Sequence, residues 1–333
     1  MGVLAEEPAR QVIVVAPTAF KGTLRPIKAA RAIAAGIRRV LPDEKIVLIP
    51  VADGGDGTRE VLAPDAPLRT VRVHDPRGRM IEAGYAFSDE TAIIETAEAS
   101  GLRLLLRRER DPETTSTFGT GQLILAAWKA GARRILLGAG GSATVDGGRG
   151  ALEAIGDPKK ICPAITVLCD VTTRYMDAPK IFGPQKGASP EAVGRLEKKL
   201  DAWNETLPRN VLRLKGGGAA GGLAGGLAAF GAKLAPGAPF VLRHLRFARR
   251  IRGADLLITG EGRFDETSTK GKIVGEVLSR SKGIPRIIVC GESSIDRPDV
   301  IQMALLAGSR KRATRAPTRW LCHATEVALR TCR

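Results

Sequence analysis

Six stretches of the 333-residue chain carry ionisable side chains, most of them beside glycine: "TAFKGT" (18–23), "ADGGDGT" (52–58), "GAGGSATVDGG" (138–148), "CDV" (169–171), "FGPQKGAS" (182–189) and "GEGRFDETSTKGK" (260–272). Carboxylates accept protons and bind hard cations through oxygen. Lysines offset anionic charge, and glycine lets a backbone approach a ligand closely. Each residue also has a plainer use. Asp53 and Asp56 spell tight Asp-Gly turns, Asp146 is placed to cap a following helix, and Lys21 reads equally as a solvated surface lysine. Lys186 stands beside a glycine, and Lys270 and Lys272 open a helix, where anions bind free N–H groups and a lysine otherwise opposes the dipole. Asp170 ends an apolar run, where an unpaired carboxylate is costly to bury. Glu261 and Asp265 form an acidic pair suited to Mg²⁺. Carboxylates, lysines and glycine-rich loops, with none of the three histidines among them, suit phosphoryl transfer.

The elements that would hold these stretches are strands of a parallel α/β fold. "QVIVVAP" (11–17), "KIVLIPVAD" (45–53), "RRILL" (133–137), "ITVLCDV" (165–171), "ADLLITGEG" (254–262) and "RIIVCGE" (286–292) read as strands, and five of the six polar stretches follow or end such runs. Ligands of parallel sheets bind at the carboxyl ends of strands. Helical spacing predicts helices near 24–41, 119–130, 190–202, 271–282 and 316–331, with Thr23 as a cap for the first. Between residues 68 and 97 the pattern alternates apolar and polar, as antiparallel strands do. Parallel units at both ends with a different middle predict one domain inserted into another.

Composition narrows the classes. No apolar run approaches the ~18 residues of a membrane span, and the N-terminus shows no secretory pattern. Five cysteines without C-x-x-C point to a reducing, cytoplasmic setting and away from zinc. The net charge of +17 is spread along the chain, densest in "SRKRATRAPTR" (309–319), without a nucleic-acid-binding motif. The expected partner is therefore a small anion, with no specific nucleic acid and no membrane; a homo-oligomer is compatible with this. The P-loop and protein-kinase signatures are absent. "GAGGSA" (138–143) satisfies G-x-G-x-x-A after a strand, so an NAD(P)-binding oxidoreductase is the competing class, but no acidic strand end follows about 20 positions on.

In order along the chain, "VIVVAPTAFKGTL", "PVADGGDGT", "ETAEASGL", "TSTFGTGQLILAAWKAGARRILLGAGGSATVDGGRGALEAIG", "CDV", "IFGPQKGAS", "GGGAAGGLAGGLAAFGAKLAPG" and "ADLLITGEGRFDETSTKGK" resemble the bacterial glycerate kinase family of the glycerate 2-kinase type. The resemblance implies two α/β domains: a discontinuous Rossmann/flavodoxin-like parallel-sheet domain (1–68 and 242–333) and an inserted mixed α/β domain (69–241). It implies ATP- and Mg²⁺-dependent phosphorylation of D-glycerate, with 2-phosphoglycerate the favoured product. Carried onto this chain, Asp53, Asp170, Lys21, Lys186 and Asp265 become catalytic candidates. Gly140, Gly141, Ser142, Thr144, Asp146, Gly217, Gly218, Gly221, Gly222 and Lys272 become candidates for binding phosphate or substrate, and Asp170, Glu261 and Asp265 for metal. The chain departs from the family at Thr18 and Ala19, which replace Asp and Ser, at Val145, which replaces Asn, and in shortened loops around 157–183. A homologue with the fold but impaired turnover is the alternative these departures raise.

Overall fold

A computed structural model describes residues 10–157, 164–269 and 272–331. Its strands are β1 (Val12–Pro17), β2 (Lys45–Leu48), β3 (Leu68–His74), β4 (Met80–Ser88), β5 (Thr91–Glu95), β6 (Arg134–Gly138), β7 (Ala164–Cys169), β8 (Lys233–Pro236), β9 (Leu256–Phe264), β10 (Arg286–Ser293) and β11 (Val300–Gln302). They form two sheets, ordered β11-β10-β9-β1-β2 and β3-β4-β5-β6-β7-β8. The chain divides into two compact units, one built from residues up to Val51 and from Leu242 onward, the other from Ala52–Val241.

In the first unit every strand pairing is parallel. Parallel strands covered on both faces read as unbroken apolar runs, and β1 is such a run, with Ile13 to Ala16 wholly buried. The helix Pro26–Val40 buries Ala29, Ala30, Ile33, Gly36 and Ile37 on one side. It packs with the helix Pro317–Thr331 over Ile13, Val15, Ile258, Ile287 and Val289. Thr23 does not cap the first helix. Extended Arg25 precedes it without a side-chain cap, and Pro26 occupies the first turn, where its missing N–H costs nothing. The Thr23 hydroxyl instead donates to the Phe20 carbonyl (2.8 Å) and closes the turn after β1.

The second unit carries the mixed sheet. β3–β4–β5 are antiparallel and β5–β6–β7–β8 parallel. Its core joins Ile94, Ile135, Leu137 and Val167 from the sheet to Leu123, Ile124, Leu152, Leu196 and Leu200 from helices. The first division falls at Val51/Ala52, ahead of the change of texture near residue 68. The reason is local: the helix Thr58–Leu62 packs on β4 and β5, and the Arg59 amide donates to Glu95 Oε1 (2.9 Å). The texture change marks where the antiparallel strands begin, after the chain has already joined their unit.

Gly36 sets how closely the two helices of the first unit meet. A Cβ there would stand 2.5 Å from the Cys322 carbonyl oxygen and 2.8 Å from Thr325 Cβ. Gly36→Ala is expected to lower stability by about 1–2 kcal/mol, as overpacking outweighs the gain in helix propensity. Urea unfolding followed by circular dichroism measures this; an unchanged or raised midpoint would show that the helices separate freely.

Candidate functional site

The second unit gathers four of the polar stretches around the carboxyl ends of β6 and β7. The loop after β6 presses against residues 53–55. The Gly140 amide donates to the Gly54 carbonyl (2.9 Å), and a Cβ on Gly140 would stand 2.5 Å from Gly55 Cα. Gly54 itself has φ +101°, and a Cβ there would overlap the Leu168 carbonyl at the end of β7. On the loop's other side lie residues 216–222. The Gly147 amide donates to the Gly221 carbonyl (3.1 Å), and a Cβ on Gly221, at φ +67°, would overlap the Thr144 carbonyl. Gly217, Gly218, Gly221 and Gly222 are all buried against protein backbone or side chains. Gly141 is the exposed point of the β6 loop.

Asp146 has a larger capping role than its position suggests. Oδ2 accepts from the Thr117 amide (2.8 Å), the Thr117 hydroxyl (2.7 Å) and the Gly150 amide (3.2 Å), and Oδ1 accepts from the Gly148 amide (3.2 Å). One carboxylate therefore serves the N-termini of both Phe118–Lys129 and Arg149–Ile155. Burial pushes its carboxyl above the usual range against these four bonds. Because the helix after the loop opens at Arg149, the glycines do not open a helix as a dinucleotide fingerprint requires.

Lys186 lies beneath this loop, 3% exposed. Its Nζ donates to Ser142 Oγ (2.8 Å) and to the Thr144 carbonyl (2.7 Å). Gly187 follows in the left-handed region, against the Arg110 carbonyl. Burial pulls the ammonium down to about 7, while the fields of Asp146 and Asp170 oppose that shift. Asp170 stands half-buried directly after β7, and its field adds to burial in pushing the Cys169 thiol up to about 12. Asp53 is half-buried and accepts the Gly55 amide (3.3 Å), the turn contact its sequence suggested.

The first unit holds the remaining candidates at the ends of β1 and β9. Lys21 is exposed, and a Cβ on Gly262 of β9 would lie 3.1 Å from its amide nitrogen. Glu261 is half-buried on β9, in register with Cys290. Asp265 Oδ1 accepts from the Thr267 hydroxyl (2.6 Å) and from the amides of Thr267 (2.9 Å) and Ser268 (3.3 Å), so its carboxylate closes a turn. The Thr267 hydroxyl bond leads in holding that carboxyl below its usual range. Lys272 precedes the helix Ile273–Arg280, and its Nζ donates to Thr267 Oγ1 (2.6 Å). Lys270 lies outside the described residues.

Two participants were not nominated from sequence. Glu95, 2% exposed, ends β5 and holds the Arg59 amide, and it carries the signal that singled out Asp170: a carboxylate closing an apolar run. Thr117 shares Asp146 from a distant part of the chain and carries no local signal.

Asp146→Ala is expected to destabilise the protein by about 2–3 kcal/mol, since two helix N-termini lose their acceptor. A urea midpoint within error of the wild type would show that backbone or solvent replaces the carboxylate.

Comparison with known proteins gives concordant results. The model of the glycerate kinase family matches residues 13–161 and 157–326. The glycerate kinase of Halalkalibacterium halodurans is 39% identical over 322 residues, covering 84% of this chain and 85% of that protein. The glycerate 2-kinase of Escherichia coli is 38% identical, covering 78% and 79%. A solved structure titled as a putative glycerate kinase 2 from Salmonella typhimurium LT2 superposes with a TM-score of 0.76 at 33% identity, covering 96% of this chain and 98% of that one. With matches across nearly the whole chain in both sequence and fold, the protein belongs to the glycerate kinase family.

Proposed function

We infer that the protein is a kinase that transfers a phosphoryl group from ATP to an alcohol oxygen of D-glycerate, with 2-phosphoglycerate the favoured product. The observation that carries this reading is the glycine-rich loop 138–148 at the end of β6, with the buried Lys186 ammonium bonded to its underside. Phosphoryl transfer is mostly positioning and charge stabilisation. A backbone loop with a buried lysine beneath it, charged when an anion is bound, supports both, for a phosphate or for the glycerate carboxylate.

Asp170 and Asp53 are the candidates for accepting the hydroxyl proton, and Lys21 and Lys272 for offsetting charge at the ends of β1 and β9. Among the described residues no group of three or more His, Cys, Asp or Glu is placed to hold a metal ion. Mg²⁺ commonly takes one or two carboxylates and completes its sphere with phosphate and water, so the half-buried Asp170 fits that demand. The ion would supply charge neutralisation on the phosphates. Glu261 stays a metal candidate in its own unit, whereas the Asp265 carboxylate is engaged in its turn. Among the described residues no helix is long and apolar enough to cross a membrane, and Cys169, Cys290 and Cys322 are free thiols. The free thiols suit a reducing, cytoplasmic setting.

A coupled ADP-release assay with ATP, Mg²⁺ and D-glycerate, followed by phosphorus NMR of the product, tests the reading. Turnover of about 1–100 per second is expected, and Asp170→Asn should lower kcat by about 100-fold or more. No turnover at millimolar D-glycerate would contradict the kinase reading, and a fully active Asp170→Asn would remove Asp170 from the chemistry.

A further inference from the structure

Lys186 is a buried cation in which the hydrogen-bond partners are a hydroxyl and a carbonyl. Among the described residues no carboxylate pairs with it directly. Asp146 and Asp170 act on it through space, and the Phe182 ring centroid lies 5.8 Å from Nζ. Burying a charge without a counter-charge is costly. The missing counter-charge has an obvious location, because both Lys186 partners belong to the glycine-rich loop, whose Gly141 is exposed.

We propose that Lys186 is a positioning residue that gives the loop its affinity for an oxyanion, and that binding of the oxyanion draws a proton from solvent onto Nζ. The proposal rests on the kinase reading for the identity of the ligands. A neutral amine still has two N–H donors, enough for both Ser142 and Thr144, so the loop can keep its shape when the proton leaves. The charge is what changes. With the ammonium held near 7, the free protein carries mostly neutral Lys186 at pH 8. A bound anion favours the charged form, so the complex holds more protons than the free protein, and affinity falls as pH rises above about 7. At pH 6 the lysine is already charged and little uptake remains. Both a nucleotide phosphate and the glycerate carboxylate are oxyanions; separate titrations tell them apart.

Calorimetric titration of D-glycerate, and separately of ADP with Mg²⁺, in two buffers of different ionisation enthalpy counts the protons. At pH 8 the loop's ligand is expected to take up about 0.5–0.9 proton per molecule bound, more than it does with Lys186→Arg, whose guanidinium stays charged. For D-glycerate the uptake should vanish at pH 6. Lys186→Arg should also retain affinity at pH 8 better than Lys186→Met, with circular dichroism confirming that each variant is folded. Binding of both ligands without proton uptake in the wild type, or with the same uptake in the folded Lys186→Met, overturns the proposal while leaving the kinase reading intact. Absence of both binding and turnover would overturn the two together.

Discussion

The Lys186 ammonium donates to Ser142 Oγ and the Thr144 carbonyl from inside the protein, and the strand-end region of the second unit is arranged around that contact. A lysine so placed loses much of its hydration. Two good acceptors recover part of this, and the fields of Asp146 and Asp170 recover more. The remainder is an electrostatic demand for negative charge on the loop. A structure meant only to be stable would meet that demand with a carboxylate. On the proposed reading, a bound anion would meet that demand instead.

The glycines serve the same end. The β6 loop runs between residues 53–55 on one side and 216–222 on the other, at backbone-to-backbone distances that side chains would prevent. Three segments far apart in sequence are thereby locked at the ends of β6 and β7. Asp146 adds a further restraint by tying the loop to two helix N-termini. The loop is thus held by contacts on both sides, which suits preorganised charge stabilisation. Val145, where the family has Asn, is 2% exposed and belongs to the hydrophobic core, so the departure falls on a position that packs.

Much of this was legible in the sequence, for identifiable reasons. The apolar runs at 12–17, 134–138 and 256–264 announce parallel strands, and the polar residues after them mark the strand ends where the ligand site is proposed. Long-range partnership was not legible. Lys186 was recognisable as a lysine next to a glycine, but not as a buried partner of Ser142. Asp146 could be read as a helix cap, but Thr117 could not be foreseen as its second client. The glycines at 217–222 promise close backbone approach, and in the structure what approaches includes the protein's own Thr144–Gly147 segment. Thr23 had a capping residue's chemistry, but the extended Arg25 placed it too far back to cap. Local spacing encodes elements, whereas pairings between loops depend on the assembled sheet.

The loop 138–148 with Lys186 beneath it is the proposed seat of a bound oxyanion. A crystal structure of the protein with ADP, Mg²⁺ and D-glycerate tests it most directly. A phosphate or carboxylate oxygen is expected within hydrogen-bond distance of the Gly140–Ser142 backbone or of Ser142 Oγ, with Lys186 still bonded to Ser142 and Thr144. Both ligands ordered elsewhere, with this loop touching neither, would contradict it.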